Sequence, residues 1–372
     1  GTLFKNLAYV DSTHVEISNG VIYGAVFGGG CNGHVKRDTY VKMTGGTIGH
    51  TLSETEKSIS ITQPEPVYFG NVYGGGRGID HTNLPGTISH TAGQVYGNTR
   101  VDISGGRVHN DVYGGGSLAN VGVERYDAQG NVVGITSGGY AYVNITGNAI
   151  IGTDGRNAGF VYGSGRGMAG ETWSDMAYVD MTFVTIGTEN GSDNPQVRGS
   201  VFGGGSNGHV EDHTDVRIYT GTIGTPLTAD EMVEADPTLG IERHRVYRGN
   251  VYGGGRGVER STSGSSALSP TAGRVFGNTN VSVFGGTVYH NVYGGGSLAS
   301  VGTFTIENNQ HVFADTTGKA TVNINGGTIG MSADVLNSLP LPLSTNYSGL
   351  NNGQVYGSGR GEAGAEYADF AF

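Results

Sequence analysis

The triplet Val-aromatic-Gly recurs eight times, at Val26-Phe27-Gly28, Val72-Tyr73-Gly74, Val112-Tyr113-Gly114, Val161-Tyr162-Gly163, Val201-Phe202-Gly203, Val251-Tyr252-Gly253, Val292-Tyr293-Gly294 and Val355-Tyr356-Gly357. A repeat of tens of residues means a stack of small units, each able to bury its apolar side only against its neighbours. No other feature of the chain constrains the fold as strongly.

Each triplet follows a five-residue alternating segment, such as Thr39-Tyr40-Val41-Lys42-Met43 or Thr99-Arg100-Val101-Asp102-Ile103. Strict alternation with period two is a half-buried strand. The fifth copy reads Ala177-Tyr178-Val179-Asp180-Met181. Seven residues after each central Val stands a β-branched residue: Ile22, Ile48, Val108, Ile150, Ile186, Ile223, Val288 and Ile329. Most follow a glycine step that marks a corner. The pattern therefore predicts rungs of three short strands.

Val15 to Val26, Val101 to Val112 and Val281 to Val292 each span eleven positions. The remaining rungs carry extra residues at fixed corners, where a loop leaves stacked sheets undisturbed. Insertions at 121–140 and 301–319 predict β-hairpins turning near Gln129-Gly130 and Asn308-Asn309. Another predicts a short helix after Thr228, bearing Asp230, Glu231, Glu234 and Asp236.

A longer period lies above the rung. Asn-Gly-His-Val occurs at 32–35 and 207–210, and Tyr-Gly-Gly-Gly-Ser-Leu-Ala at 113–119 and 293–299. The reading is one solenoid over 1–372 with four-rung blocks at 1–176 and 177–372. Glu366 to Phe372 resembles the start of a ninth rung, so the chain is expected to be a piece of a longer array.

Glycine supplies 70 residues, locked to the repeat rather than scattered as in disordered tracts, and without the every-third spacing of collagen. A net charge of −11 argues against a nucleic-acid partner. One cysteine, Cys31, excludes a disulfide framework and stands where sibling rungs have Ser117, Ser206 and Ser297. No apolar run is long enough to span a membrane as a helix. Low Lys with abundant Thr, Asn, Tyr and Gly suits an extracellular or cell-surface protein.

Stacking such rungs gives an all-β parallel solenoid, its strands about 4.8 Å apart. Here the chain resembles the right-handed parallel β-helix proteins, among them surface adhesins, tailspikes and pectin-degrading enzymes. Its Val-Tyr-Gly-Gly-Gly repeats also resemble those of very large Gly-rich surface proteins of Bacteroidota. The resemblance implies a right-handed coil and a stalk, adhesin or filament subunit.

Two columns are candidate binding surfaces. The residue three places after the triplet glycine alternates along the chain: Cys31, Arg77, Ser117, Arg166, Ser206, Arg256, Ser297, Arg360. The four arginines would stand about 9.6 Å apart, two strand spacings. They could brace loops, pair with a carboxylate such as Asp180 or Glu362, or present a row of forks to an anionic glycan. Tyr73, Tyr113, Tyr162, Tyr252, Tyr293 and Tyr356 form the aromatic column with Phe27 and Phe202. Facing out, it is a stripe for sugar rings or a partner; facing in, it is packing. The glycines that follow mean close approach by a loop, a neighbouring rod or a ligand.

No nucleophile elbow or His-Glu-x-x-His is present, and no cofactor is implied. Gly152-Thr153-Asp154-Gly155 resembles a calcium turn without the nine-residue repeat that such sites need. His34 and His209 are equivalent in the two blocks, which reads as inheritance of the repeat. The expectation is a non-enzymatic structural or adhesive rod that self-associates. The alternative is a carbohydrate-binding or polysaccharide-degrading β-helix.

Overall fold

The computed structural model describes residues 8–50, 69–78, 91–130, 132–153, 158–167, 176–226, 248–257, 271–307, 310–314, 316–331 and 353–361. They contain no helix. Three parallel sheets of eight strands each run the length of a right-handed parallel β-helix.

The first sheet holds the five-residue strands Thr13–Ile17, Thr39–Met43, Thr99–Ile103, Ala141–Ile145, Thr182–Ile186, Thr214–Ile218, Thr279–Val283 and Ala320–Ile324. The second runs from Val21–Ile22 to Thr328–Ile329, and the third from Val26–Phe27 to Val355–Tyr356. Equivalent residues pair, Val41 with Val101 and Val112 with Val161. A one-residue slip would turn every inward Val to solvent, so the period-two pattern pins the register. The inward Val, Ile and Met residues of all three sheets form one continuous core.

The fifth rung departs from the sequence reading. Its alternating strand is Thr182–Ile186, with Val184 and Ile186 inward, and not the 177–181 segment. Val197 therefore fills the second-sheet position assigned to Ile186. In the fourth rung an extra residue at the corner makes Ile151, not Ile150, the inward one. The misreading has a cause. Each block's solenoid has a fourth side, where Val35, Val95, Val121, Val179, Val210, Val275 and Val301 form a second apolar column. Tyr178–Val179 belongs there, paired with His209–Val210, and it alternates just as a first-sheet strand does.

Polar groups are stacked too. The Thr that opens a first-sheet strand donates to the carbonyl of the triplet glycine across the core: Thr39 to Gly74, Thr99 to Gly114, Thr182 to Gly203, Thr214 to Gly253 and Thr279 to Gly294, each at 2.6 Å. Just before the triplet, a side-chain oxygen accepts the next rung's amide, as Asn71 does from Asp111, Asn250 from Asn291 and Asn291 from Gln354. These bonds satisfy corner amides that the two-residue strands leave over.

What approaches the triplet glycines is the next rung itself. A Cβ on Gly114 would lie 2.1 Å from the Gly163 carbonyl oxygen, and one on Gly163 would lie 2.1 Å from that of Gly203. Apart from Gly357 in the last rung, which is exposed, the triplet glycines are buried backbone-on-backbone contacts and not a bare groove.

Both predicted hairpins are present, Val123–Tyr126 with Val132–Ser137 and Phe304–Glu307 with Gln310–Phe313, each antiparallel. They leave equivalent corners four rungs apart. The Asn308-Asn309 turn, the helix predicted after Thr228 with its four acids, Asp154, and Glu366 to Phe372 lie outside the described residues.

Candidate functional site

The third sheet carries both candidate columns. In its two-residue strands the Val points into the core and the ring points to the opposite face. The rings nevertheless stay out of solvent: Tyr73, Tyr113, Tyr162, Phe202, Tyr252 and Tyr293 are all buried. They stack in an unbroken column of eight, from Phe27 on Tyr73 to Tyr293 on Tyr356, with centroids 4.6–4.9 Å apart and near-parallel planes. The strand spacing imposes that separation, so in-register aromatics stack face to face and offset. Only the end ring, Tyr356, is exposed, at 40%.

The arginines form a true ladder. Bridges run Cys31 to Arg77, Ser117, Arg166, Ser206, Arg256, Ser297 and Arg360 in register. Placing Ser between them keeps like charges from stacking at one strand spacing. All four arginines are half-buried. Arg256 turns back over the rings: its Nη1 donates to Tyr162 Oη at 3.4 Å, and its guanidinium sits 5.3 Å from the Phe160 ring. Arg166 acts on the Tyr113 hydroxyl and Arg360 on that of Tyr252 by charge, each lowering a phenol pKa that burial raises. The two columns are thus one structure, a ring stack with guanidinium groups laid against its hydroxyl edge.

Among the described residues one carboxylate, Asp111, enters this layer, and the sequence reading passed over it. Asp111 Oδ1 accepts the amides of Gly159 and Phe160 at 3.0 and 2.9 Å, and Tyr113 Oη donates to Oδ2 at 3.3 Å. Burial raises its carboxyl to about 6, against the opposing pull of those amides and Arg256. The signal was available: Asp111 stands where sibling rungs have Asn71, Asn250 and Asn291. Asp180, suggested as an arginine partner, lies with Asp212, Glu211 and His213. Burial and the two like charges raise it to about 6. Glu362 lies outside the described residues.

A scan against family models, curated proteins and solved structures finds no match to this chain. The site must therefore be judged on its chemistry. Asp111 sits among ring, amide and guanidinium groups. Among the described residues no group of three His, Cys, Asp or Glu side chains could hold a metal ion. The arrangement is suited to holding rungs together.

Proposed function

We propose that this chain is a non-enzymatic structural β-solenoid, a stalk, adhesin or filament subunit outside the cell. The observation that carries the reading is the buried ring column with its arginine edge. The most strongly repeated chemistry of the sequence joins rung to rung instead of facing solvent. A repeat array built this way is a sum of similar nearest-neighbour contacts, which suits a load-bearing rod. The kinship with Gly-rich surface repeats of Bacteroidota belongs to the same proposal.

The test is a glycan array probed with the whole chain, alongside Arg166→Ala and Tyr162→Phe. No specific glycan signal is expected. Micromolar binding to one glycan class that Arg166→Ala abolishes would overturn the structural reading. A carbohydrate-binding role is favoured elsewhere by one observation. On the outer face of the first sheet, Tyr142 stacks on Phe183 at 4.9 Å, and both rings are partly exposed. Array binding lost in Tyr142→Ala and kept in Arg166→Ala would place a glycan there.

A further inference from the structure

Asp111 does a structural job that needs no charge. Asn71, Asn250 and Asn291 hold the same place in other rungs, and each accepts the next rung's amide as Asp111 accepts those of Gly159 and Phe160. What a carboxylate can do there, and an amide cannot, is take up a proton.

One hydrogen bond shows which proton. Tyr113 Oη donates to Asp111 Oδ2 at 3.3 Å. In two other rungs the bond runs the opposite way, the hydroxyl accepting: Tyr162 from Arg256 Nη1 and Tyr293 from Asn291 Nδ2. Burial, and then the charge of Asp111, hold the Tyr113 phenol well above its ordinary range. The phenol therefore does not ionise by itself, and its proton leaves only as an electron leaves with it.

The stack supplies a path for that electron. Tyr113 lies 4.7 Å from Tyr73 and 4.9 Å from Tyr162, in near-parallel planes. Phe27 and Phe202 close this run on its two sides, and a phenyl ring is much harder to oxidise than a phenol. Three buried tyrosines thus make a bounded unit around one acid. The second block holds a built-in control: Tyr252 and Tyr293 stack in the same way, with Asn250 and Asn291 where the acid would be.

We propose that Tyr113 and Asp111 form a proton-coupled redox site, through which the Tyr73–Tyr113–Tyr162 run quenches one-electron oxidants such as peroxide-derived radicals. The Tyr113 O–H bond breaks and its proton forms an O–H bond on Asp111 Oδ2. The electron passes through the stacked rings to the oxidant, which is reduced by one electron. A neutral phenoxyl radical is left beside a neutral carboxylic acid, so the step removes a buried charge instead of creating one. Return of one electron from an outside reductant sends the proton back to Tyr113. This activity goes beyond the structural reading and does not rest on it.

The test is flash photolysis of the full chain with a photogenerated ruthenium(III) polypyridyl complex as oxidant, following phenoxyl absorbance. Wild type is compared with Asp111→Asn, Tyr113→Phe and Tyr293→Phe; the first two variants carry side chains that sibling rungs already hold, as in Asn71 and Phe202. Wild type should form a phenoxyl radical that outlives those of the exposed Tyr23 and Tyr126. Its formation should slow in deuterium oxide. It should also slow as pH falls through about 6, where Asp111, faced by Tyr113, Tyr162 and Arg256 among the described residues, takes its proton from water. Asp111→Asn should form the radical about 100-fold more slowly, the loss expected when a positioned proton acceptor is removed. Tyr113→Phe should lose the long-lived radical and Tyr293→Phe should keep it. Equal rates in wild type and Asp111→Asn, or a rate that ignores pH and isotope, overturn the proton transfer. A wild type with no radical beyond that of Tyr113→Phe overturns the site altogether, while leaving the structural rod intact.

Discussion

Replacing Asp111 by Asn should stabilise the solenoid, in full above about pH 6 and progressively less as pH falls towards 4. The carboxyl is raised from the ordinary 3.8 to about 6 by burial. A shift of that size corresponds to about 3 kcal/mol of penalty for holding the charged form in the fold. The penalty is full above pH 6, fades as pH falls and is gone below the unfolded value near 4, since the folded state then gains the proton more readily than the unfolded chain. The substitution would copy a rung that already exists. Asn291 Oδ1 accepts the next rung's Gln354 amide at 2.9 Å, and its Nδ2 donates to Tyr293 Oη at 3.2 Å. Asp111 makes the same two contacts, with the direction of the tyrosine bond reversed. Urea denaturation of both proteins at pH 8 and pH 4 decides the matter. Asp111→Asn should be more stable by about 2–3 kcal/mol at pH 8, falling towards zero at pH 4. A variant destabilised at pH 8, or a difference independent of pH, would refute the reasoning that the charge is carried at a cost.

Other outcomes follow from the same ladders. Gly114→Ala drives a Cβ to 2.1 Å from the Gly163 carbonyl, so it should lower stability by more than about 3 kcal/mol, read by thermal or urea unfolding. Tyr162→Phe should cost under about 1 kcal/mol because Phe202 already fills that place one rung on, whereas Tyr162→Ala should cost about 3–5 kcal/mol by opening a cavity in the stack. Thr99→Ala removes the 2.6 Å bond to the Gly114 carbonyl and should cost about 1 kcal/mol; the effect is bounded because Ala141 and Ala320 serve in two rungs. A loss of several kcal/mol there would show that the threonine brace holds more than one corner.

The eight triplets, the alternating strands and the fixed corner insertions were enough to read a parallel solenoid from the chain. That is because in-register stacking makes each rung's pattern its neighbour's constraint. The hairpins were legible for the same local reason: alternating residues on either side of a turn. What failed was the assignment of 177–181, since Ala-Tyr-Val-Asp-Met alternates equally well on the first and fourth sides. Only the pairing of Tyr178–Val179 with His209–Val210 separates the two. The fourth Val column itself went unseen because most of its members bridge as single residues, too short to carry a period.

The direction of the aromatic column was likewise decided only by tertiary structure. A two-residue strand shows that Val and ring face opposite ways, and nothing in the sequence says whether the face away from the core is covered. Rung spacing then stacks the rings at under 5 Å and brings Arg256, two rungs on, back over Tyr162. Asp111 gained its altered acidity in the same way, from amides 48 and 49 residues away that only the coil brings to it. Repetition along the chain determined what stacks on what. Burial and charge arose where separate rungs meet, and depend on distances that no single repeat encodes.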